Sequence, residues 1–244
     1  PATFDWQPFL QHRVLPEPVT LPQAIRSSLA GKRILITGAG GWIGSALAKS
    51  VAQSNPQKLV LLDSSEGALY DVHQAFAELK GAPSHLPILA SVCDSAAISN
   101  LFDQHRPEIV FHAAAFKHVP LMESNPFAVV TNNVFGAHLL STAAARYDCE
   151  QMLMVSTDKA VNPSSIMGAS KRIAELILLA PHRDAACRKV VRLGNVLGSS
   201  GSVVPLFLRQ IEQGGPVTVS HPEARRYLMT LTEAVDALLH ALTS

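Results

Sequence analysis

Short apolar runs recur along most of the chain and alternate with segments that have helical spacing. The runs lie at residues 33–37, 59–63, 86–92, 109–112, 152–156 and 190–193. They are apolar at consecutive positions rather than at every second position. Continuous runs of this length are typical of strands in a parallel sheet that is buried on both faces.

The intervening segments carry apolar residues at the spacing of a buried helix face. Ile43, Leu47 and Val51 recur at i, i+4 and i+8. The same rule holds for Leu69, Val72, Phe76 and Leu79. Strands that alternate with helices over short connections predict an α/β fold with a doubly wound parallel sheet and right-handed crossovers.

The regular alternation begins at Gly31 and fades after Asn195. Residues 1–30 are rich in proline and carry one short helical pattern at 23–29, so we interpret them as an N-terminal arm. Residues 31–194 form the predicted parallel-sheet domain. Residues 195–244 contain a stretch punctuated by Gly, Ser and Pro and a last helix near 233–242, which we expect to form a separate small lobe.

Composition limits the function more than the fold. Of the 244 residues, 48% are hydrophobic and 16% are charged, which allows a well-filled core and excludes a disordered chain. The formal net charge of +1 is too small to produce an overall electrostatic attraction for a polyanion. We therefore expect no nucleic-acid partner.

The cysteines and histidines form neither a disulfide nor a metal pattern. The sequence has an odd number of cysteines, Cys93, Cys149 and Cys187, which lie far apart and without Cys-x-x-Cys spacing. No two histidines have the spacing His-x-x-x-His. We expect no metal ion and a reducing, cytoplasmic compartment. No apolar run approaches the ~18 residues of a membrane helix and no signal peptide is recognisable, so no membrane span is predicted in this chain.

A glycine-rich turn, TGAGGWIG at residues 37–44, follows the first predicted strand and opens the first helix. Glycine suits a tight turn in which the backbone approaches a pyrophosphate and the helix packs closely on the strand. The phosphate charge then lies on free amides at the positive helix end. A plain strand–turn–helix connection is the alternative. The predicted cofactor contacts are Gly38, Gly40, Gly41, Trp42, Ile43 and Gly44.

Asp63 closes the second predicted strand, roughly 20 residues after the last glycine of the turn, which favours the dinucleotide site. Its carboxylate can accept hydrogen bonds from both adenosine ribose hydroxyls, whereas its negative charge would repel a 2′-phosphate. Ser64, a further candidate contact, and the two residues after it are not basic, so NAD is favoured over NADP. Asp94, after the third strand, is either an adenine contact or the cap of the next helix.

Longer motifs follow in the second half of the chain. They are FHAAAFKHVPLME at 111–123, NNVFG at 132–136, STDKAVNP at 156–163, MGASKR at 167–172 and RLGNVLGSSGSV at 192–203. With the glycine spacing, they resemble the polysaccharide-biosynthesis nucleotide-sugar 4,6-dehydratases, which are extended short-chain dehydrogenase/reductases. The match is specific to the branch that has methionine, here Met167, where most of the superfamily has a catalytic tyrosine. It extends from about Phe9 to the last residue.

The resemblance implies a Rossmann fold for residues 31–194, with NAD at the glycine turn and Ala113, Ala114 and Ala115 beside it. It also implies a UDP-sugar substrate and a homodimer or higher oligomer. In the family the catalytic part follows a membrane region, so the expected location is the cytoplasm, or the cytoplasmic face of the inner membrane in a longer native chain. Relatives continue further, so the lobe at 195–244 is expected to be a truncated substrate-binding lobe.

By the same resemblance, Thr157, Met167 and Lys171 occupy the three positions of the superfamily's Ser/Thr–Tyr–Lys site. A thioether cannot carry a proton, so either the acid–base role lies elsewhere, which we favour, or the site is inactive. The resemblance assigns removal of the sugar C5 proton to Lys159 and protonation of the departing C6 hydroxyl to Asp158. Lys171 would also bind the nicotinamide ribose, and Thr157 would hydrogen-bond the C4 oxygen. The plainer alternative for Asp158 and Lys159 is two solvated loop charges.

Residues 195–207 are similar to the segment that wraps the uridine diphosphate in this family, with Asn195 and Val203 as candidate contacts. A guanidinium that could grip a phosphate is offered by Arg226 or by its neighbour Arg225.

Three further residues are candidates with an open alternative. Lys117 and His118 follow the fourth strand and either flank the sugar or lie on a surface loop. Asn133 either orders a water at the site or is an amide that packs a helix.

The activity implied is an NAD-dependent conversion of UDP-N-acetylglucosamine to UDP-4-keto-6-deoxy-N-acetylhexosamine, a lyase reaction in surface polysaccharide biosynthesis. A nucleotide-sugar C4 or C5 epimerase is the first alternative. A non-catalytic NAD-binding module is the second, because Met167 replaces the usual acid–base group.

Overall fold

A six-stranded parallel sheet lies at the centre of the computed structural model, which describes residues 21–78, 81, 83–181, 186–199, 201–219 and 221–244. The strands are β1 (Arg33–Thr37), β2 (Lys58–Asp63), β3 (His85–Leu89), β4 (Ile109–His112), β5 (Gln151–Thr157) and β6 (Cys187–Leu193). Their order is β3-β2-β1-β4-β5-β6. Strands β2 and β3 lie on one side of β1, and strands β4 to β6 lie on the other. The order of the strands therefore reverses between β1 and β4, and ligands of such sheets bind beside this point, at the carboxyl ends of the strands.

Helices cover both faces of the sheet. They are α1 (Gln23–Leu29), α2 (Trp42–Ala52), α3 (Glu66–Ala77), α4 (Ser95–His105), α5 (Val119–Glu123), α6 (Pro126–Val129), α7 (Gly136–Arg146), α8 (Ile166–Leu179), α9 (Val203–Glu212) and α10 (Leu231–His240). A π-helical segment, Val130–Phe135, lies between α6 and α7, and a 3₁₀ turn, Asp158–Ala160, follows β5. The doubly wound parallel α/β fold is confirmed.

Successive strand residues alternate between two hydrophobic cores, which explains why the strands are apolar throughout. One core, with α1, α2, α3 and α10, takes Ile34, Ile36, Leu59 and Leu61. The other, with α4, α7 and α8, takes Leu35, Val60, Leu62 and Val110. A strand buried on both faces has no polar positions to expose.

The third strand ends earlier than the apolar run predicts. The run extends to residue 92, but β3 ends at Leu89. The following residues turn, with the Asp94 N–H donating to the Ser91 carbonyl at 3.1 Å, and Val92 reaches the core from this turn. Leu79, expected on the buried face of α3, lies outside the described residues.

Segments on both sides of the predicted domain limits contribute to the core of the sheet. Ile25 and Leu29 of α1 are buried, as are Leu238 and Leu239 of α10, and all four belong to one core with α2. Residues 1–20 of the predicted arm lie outside the described part. The boundaries at 30/31 and 194/195 stay predictions, and the core extends past both.

The segment between β6 and α10 is less buried. Two short strands, β7 (Asn195–Val196) and β8 (Leu228–Met229), pair in parallel, and α9 has no buried residue. Within the described ranges, every helix is too short or too polar to cross a membrane.

Candidate functional site

The glycine turn between β1 and α2 is packed too closely for side chains. Gly38 has a φ of +68°, and a Cβ there would lie 2.6 Å from the Ala114 backbone nitrogen. A Cβ on Gly40 would lie 2.6 Å from the Cβ of Ala68 on α3, and one on Gly44 would collide with the Gly38 carbonyl oxygen. Contacts with backbone atoms cannot relax as a flexible side chain would. The turn therefore requires glycine at these positions.

The first amides of α2 precede its first intrahelical hydrogen bond. The first intrahelical bond runs from the Ser45 N–H to the Gly41 carbonyl at 2.9 Å, and the amides of Trp42 and Ile43 precede it. Such amides lie at the positive end of the helix dipole. This cradle has the shape and the charge that a pyrophosphate requires.

Asp63 lies at the end of β2, directly beside the turn. Its Oδ2 accepts the Gly40 N–H at 2.8 Å, and its Oδ1 accepts the Ser65 N–H at 2.9 Å. These bonds orient the carboxylate, and each oxygen keeps a lone pair for a ligand hydroxyl. Ser64 is exposed next to it.

Asp94 has the geometry of a helix cap. Its Oδ1 accepts the N–H groups of Ala96 and Ala97, both at 3.0 Å, at the start of α4. The adenine contact stays a prediction. Among the described residues, no three His, Cys, Asp or Glu side chains lie together as metal ligands.

Asp158 and Lys159 form one hydrogen-bonded pair where β5 ends. Lys159 Nζ donates to Asp158 Oδ1 and to Asn195 Oδ1, both at 2.9 Å. Thr157 Oγ1 also donates to Asp158 Oδ1 at 2.9 Å. Neighbouring residues on a strand point to opposite faces, but here the chain turns into the 3₁₀ segment, which brings the two side chains to the same side. The two charges are thus paired and partly buried, and they are not solvated separately.

The environment of Asp158 keeps its carboxyl ionised. Partial burial raises the pKa of Asp158, but the hydrogen bonds from Lys159 and Thr157 outweigh burial and hold the pKa below its usual value.

Lys171 and Met167 lie one turn apart on α8 and are both buried. Burial lowers the pKa of Lys171 to about 8, and the Glu175 carboxylate opposes the shift. Met167 packs in an apolar cluster with Met122 and Val129. The methionine therefore contributes an apolar wall at the position where the superfamily has a phenol.

His112 is a buried polar group that the sequence analysis quoted only as part of a motif. Its Nδ1 lies 2.8 Å from Thr37 Oγ1, while its buried Nε2 has no hydrogen-bond partner among the described residues. Burial, and then the charge of Lys171, lower the pKa of His112 to about 3, so the ring is neutral. The sequence feature that could have identified His112 is its place as the polar last residue of the otherwise apolar strand β4.

A second missed feature is a buried carboxylate that joins α8 to the sheet. Glu175 accepts Ser156 Oγ at 2.6 Å, Arg192 Nε at 2.8 Å and Nη2 at 2.6 Å, and Arg172 Nη1 at 2.9 Å. Burial opposes ionisation, but the bonds from Arg192, Ser156 and Arg172 lower the pKa of Glu175 to about 2. This network fixes the helix that carries Lys171 against β5 and β6.

Asn133 has the geometry of a packing amide. Its Oδ1 accepts the Phe116 N–H at 2.8 Å, and its Nδ2 donates to the Phe116 carbonyl and to Ser170 Oγ, both at 3.0 Å. These bonds tie the π-helical segment to the loop after β4 and to α8. A contact of Asn133 with substrate stays a prediction.

Strand β7 and the described residues after it up to Gly201, here called the 195–201 loop, contact Lys159 and Trp42; Ser200 lies outside the described part. Asn195 and Leu197 donate their N–H groups to the carbonyls of Tyr227 and Met229, at 2.7 and 2.9 Å. The Trp42 indole donates to the Leu197 carbonyl at 3.2 Å. The His118 ring lies against Gly201.

The remaining candidates lie further out. Partial burial lowers the pKa of Lys117, after β4. Val203 is exposed at the start of α9. Arg226 is also exposed and donates to the Arg225 carbonyl, so in the described part it is not joined to the other predicted site residues.

Comparison with known proteins agrees with the motifs. The family model described as "Polysaccharide biosynthesis protein" matches residues 34–244. The capsular polysaccharide biosynthesis protein CapD of Staphylococcus aureus is 45% identical over 229 residues, which are 92% of this chain and 38% of that protein. A UDP-glucose 4-epimerase of Rickettsia typhi is 34% identical over 218 residues, which are 86% of this chain and 62% of that enzyme.

Among solved structures, the X-ray structure of Pen from Bacillus thuringiensis superposes with a TM-score of 0.82 at 28% identity, covering 88% of this chain and 66% of that one. The chain spans less than two thirds of the length of the two relatives named above. The match to the family model covers nearly all of the described residues, and it confirms the resemblance drawn from the motifs. The chain belongs to the polysaccharide biosynthesis protein family.

Proposed function

We propose that this chain is the catalytic part of an NAD-dependent nucleotide-sugar 4,6-dehydratase that converts UDP-N-acetylglucosamine to UDP-4-keto-6-deoxy-N-acetylhexosamine. The observation that carries the proposal is the Asp158–Lys159 pair, bonded at 2.9 Å at the carboxyl end of β5. Eliminating water across C5 and C6 needs a base and an acid close to each other. This pair provides both groups where Met167 cannot.

The cradle at the glycine turn fits the cofactor. The amides of Trp42 and Ile43 would hold the pyrophosphate, and Asp63 would accept the adenosine ribose hydroxyls. The carboxylate disfavours a 2′-phosphate and so favours NAD over NADP. Lys171 would hold the nicotinamide ribose, beside the wall formed by Ala113–Ala115. Bound NAD would supply the oxidant that makes a ketone at C4, which renders the C5 proton acidic, and would then return the reducing equivalent to C6.

The elimination balances within the pair. Lys159 in its amine form takes the C5 proton and becomes an ammonium. Asp158 in its acid form gives its proton to the C6 oxygen, the C6–O bond breaks and water leaves. Elimination leaves the pair in the ammonium–carboxylate form. As the reducing equivalent returns to C6, the Lys159 ammonium gives a proton back to C5, and the proton released from the C4 hydroxyl restores the acid form of Asp158.

To enter this cycle from the ammonium–carboxylate form, the proton must move from Lys159 Nζ to Asp158 Oδ1 along their existing hydrogen bond. In water, where a lysine ammonium has a pKa of ~10.4 and an aspartic acid one of ~3.9, this transfer costs roughly 9 kcal/mol. A low-dielectric site disfavours the charged forms of both groups, so substrate that excludes water from the partly exposed pair reduces this cost.

Thr157 and Lys171 would handle the C4 hydroxyl. Thr157 lies next to the pair and would hydrogen-bond the C4 oxygen. Because burial lowers the pKa of Lys171 to about 8, a fraction of this lysine is neutral near pH 7 and could accept a proton that leaves C4. Asn195, which accepts from Lys159, would connect the pair to the segment that binds the uridine diphosphate.

The test is incubation of the NAD-loaded protein with UDP-N-acetylglucosamine in D₂O. We expect a 4-keto-6-deoxy product with deuterium at C5, because the base exchanges its proton with solvent. Folded, NAD-loaded protein that forms no such product would contradict the proposal.

The similarity to a UDP-glucose 4-epimerase supports a second candidate, a C4 or C5 epimerase. This activity needs no acid at C6, so stereoisomers formed without loss of water would select it. A non-catalytic NAD-binding module would give neither product and should show no thermal shift with UDP.

A further inference from the structure

Trp42 occupies a position shared by two parts of the site. Its backbone belongs to the first turn of α2, where the free amides lie. Its indole Nε1 donates to the Leu197 carbonyl at 3.2 Å, just after strand β7. The residue is 43% exposed, so its side chain bridges the two parts at the surface and is not buried in the core.

The Trp42 ring also packs against the backbone of Gly198 in the 195–201 loop. Gly198 has a φ of +75°, which favours glycine, and a Cβ there would lie 3.0 Å from Cζ2 of the Trp42 ring. The ring thus lies against the backbone just after the carbonyl that the indole holds. A side chain at residue 198 would push the ring away.

The loop also reaches the acid–base pair. Asn195 accepts Lys159 Nζ at 2.9 Å, and the Asn195 N–H is held by the Tyr227 carbonyl at 2.7 Å. At the far end of the loop, Gly201 lies against the ring of His118. One short segment therefore connects the first turn of α2, through Trp42, to Lys159.

We propose that Trp42 is a positioning residue that couples occupancy of the glycine turn to the affinity of the 195–201 loop for the nucleoside diphosphate of the substrate. The inference rests on the proposed function, in which both ligands bind at this edge of the sheet. NAD would immobilise the first turn of α2, and the indole would then hold the Leu197 carbonyl in place. A loop that is already ordered loses less conformational entropy when the diphosphate binds. By linkage, UDP should tighten NAD binding by the same factor.

The experiment measures this coupling directly. The sequence has two tryptophans, Trp6 and Trp42, so a Trp6→Phe protein has Trp42 as its only indole. UDP is titrated into this protein with and without saturating NAD, and the Trp42 emission and the Kd are recorded. We expect NAD to tighten UDP binding about fivefold, the effect of one net hydrogen bond of ~1 kcal/mol, and we expect UDP to shift the emission.

Two variants separate the hydrogen bond from the ring. Trp42→Ala should bring the ratio of the two Kd values to about one, and Trp42→Phe, which keeps a ring without the N–H, should leave an intermediate ratio. Their UDP affinities are measured calorimetrically. Phe127→Ala, which truncates an aromatic side chain that is 87% exposed on α6, is the matched control and should keep the full ratio.

Each outcome decides between the hypotheses. Equal ratios in the Trp6→Phe protein and its Trp42→Ala variant would overturn the coupling and leave the proposed function standing. Loss of NAD binding in Trp42→Ala would place the side chain in the cofactor site and would also overturn it. Failure of UDP to bind the Trp6→Phe protein, with NAD bound, would instead overturn the proposed function.

Discussion

Replacing Glu175 by Gln should strongly destabilise the fold, although the two side chains have nearly the same size. The Glu175 side chain is 1% exposed and accepts four hydrogen bonds from Ser156, Arg172 and Arg192. The amide removes the charge and turns an acceptor atom into a donor that faces guanidinium groups. Losing one partner of a buried ion pair typically costs ~3–5 kcal/mol.

The pKa of Glu175 gives an independent magnitude. Its fall from 4.5 to about 2 corresponds to about 3 kcal/mol of stability at neutral pH, at ~1.36 kcal/mol for each pKa unit. Because the folded pKa lies below the unfolded value, this stability is present above pH 4.5 and is lost as the pH falls towards 2. The Glu175→Gln protein lacks the titrating group, so its deficit should be largest at pH 7 and shrink below pH 4.5.

The assay is urea unfolding followed by circular dichroism, from pH 7 down to the lowest pH at which the wild type folds. Asp103→Asn is the matched control, because its partner Arg106 is three residues away and both side chains are more than half exposed. An exposed pair of this kind contributes less than ~1 kcal/mol. The reasoning would be refuted if Glu175→Gln were within ~1 kcal/mol of wild type at pH 7, or if its deficit did not change with pH.

Three further variants test the site. Lys159→Ala should abolish formation of the 4-keto-6-deoxy product, measured by NMR, while NAD affinity measured by calorimetry stays within about threefold; retained turnover would move the base role elsewhere. Lys171→Met should lose activity, but its free energy of unfolding in urea at pH 7 should rise by up to about 3 kcal/mol. The reason is that the wild type buries an ammonium whose pKa falls from 10.5 to about 8. Equal stability of the two proteins would contradict this burial cost. The difference in stability between the wild type and Lys171→Met should disappear as the pH rises from 8 to 10.5, because the wild-type lysine then loses its charge. Gly38→Ala should weaken NAD binding at least tenfold, since its Cβ would lie 2.6 Å from the Ala114 nitrogen and its φ is +68°; unchanged affinity would mean that the turn can relax.

The features predicted well from the sequence are those determined locally. The runs at 33–37 and 109–112 coincide with β1 and β4, because a strand buried on both faces is apolar at every position. The glycine turn was predictable because its spacing between a strand and a helix is a local sequence pattern, although the atoms that crowd Gly38 and Gly40 belong to the distant residues Ala114 and Ala68.

Long-range contacts were not predictable in the same way. The sequence analysis assigned the segment at 23–29 to an arm, but Ile25 and Leu29 pack in the same core as α10, far away in the chain. Glu175 carries no local mark that Arg192 and Ser156 would surround it. The reach of Trp42 to Leu197 likewise depends on the fold that brings the two segments together.

These contacts suggest why the methionine at the superfamily's tyrosine position is compatible with catalysis. Met167 packs among Met122 and Val129, so the start of α8 presents an apolar surface, while Lys171 is held one turn further on by the anchoring of α8 through Glu175. The partly exposed polar groups gather instead at the end of β5, where Asp158, Lys159 and Asn195 share hydrogen bonds. A phenol at residue 167 would add a second proton-transfer group on the α8 side of the site. Without it, the proposed elimination depends on the β5 pair, which is hydrogen-bonded to Asn195 in the segment proposed to hold the sugar nucleotide.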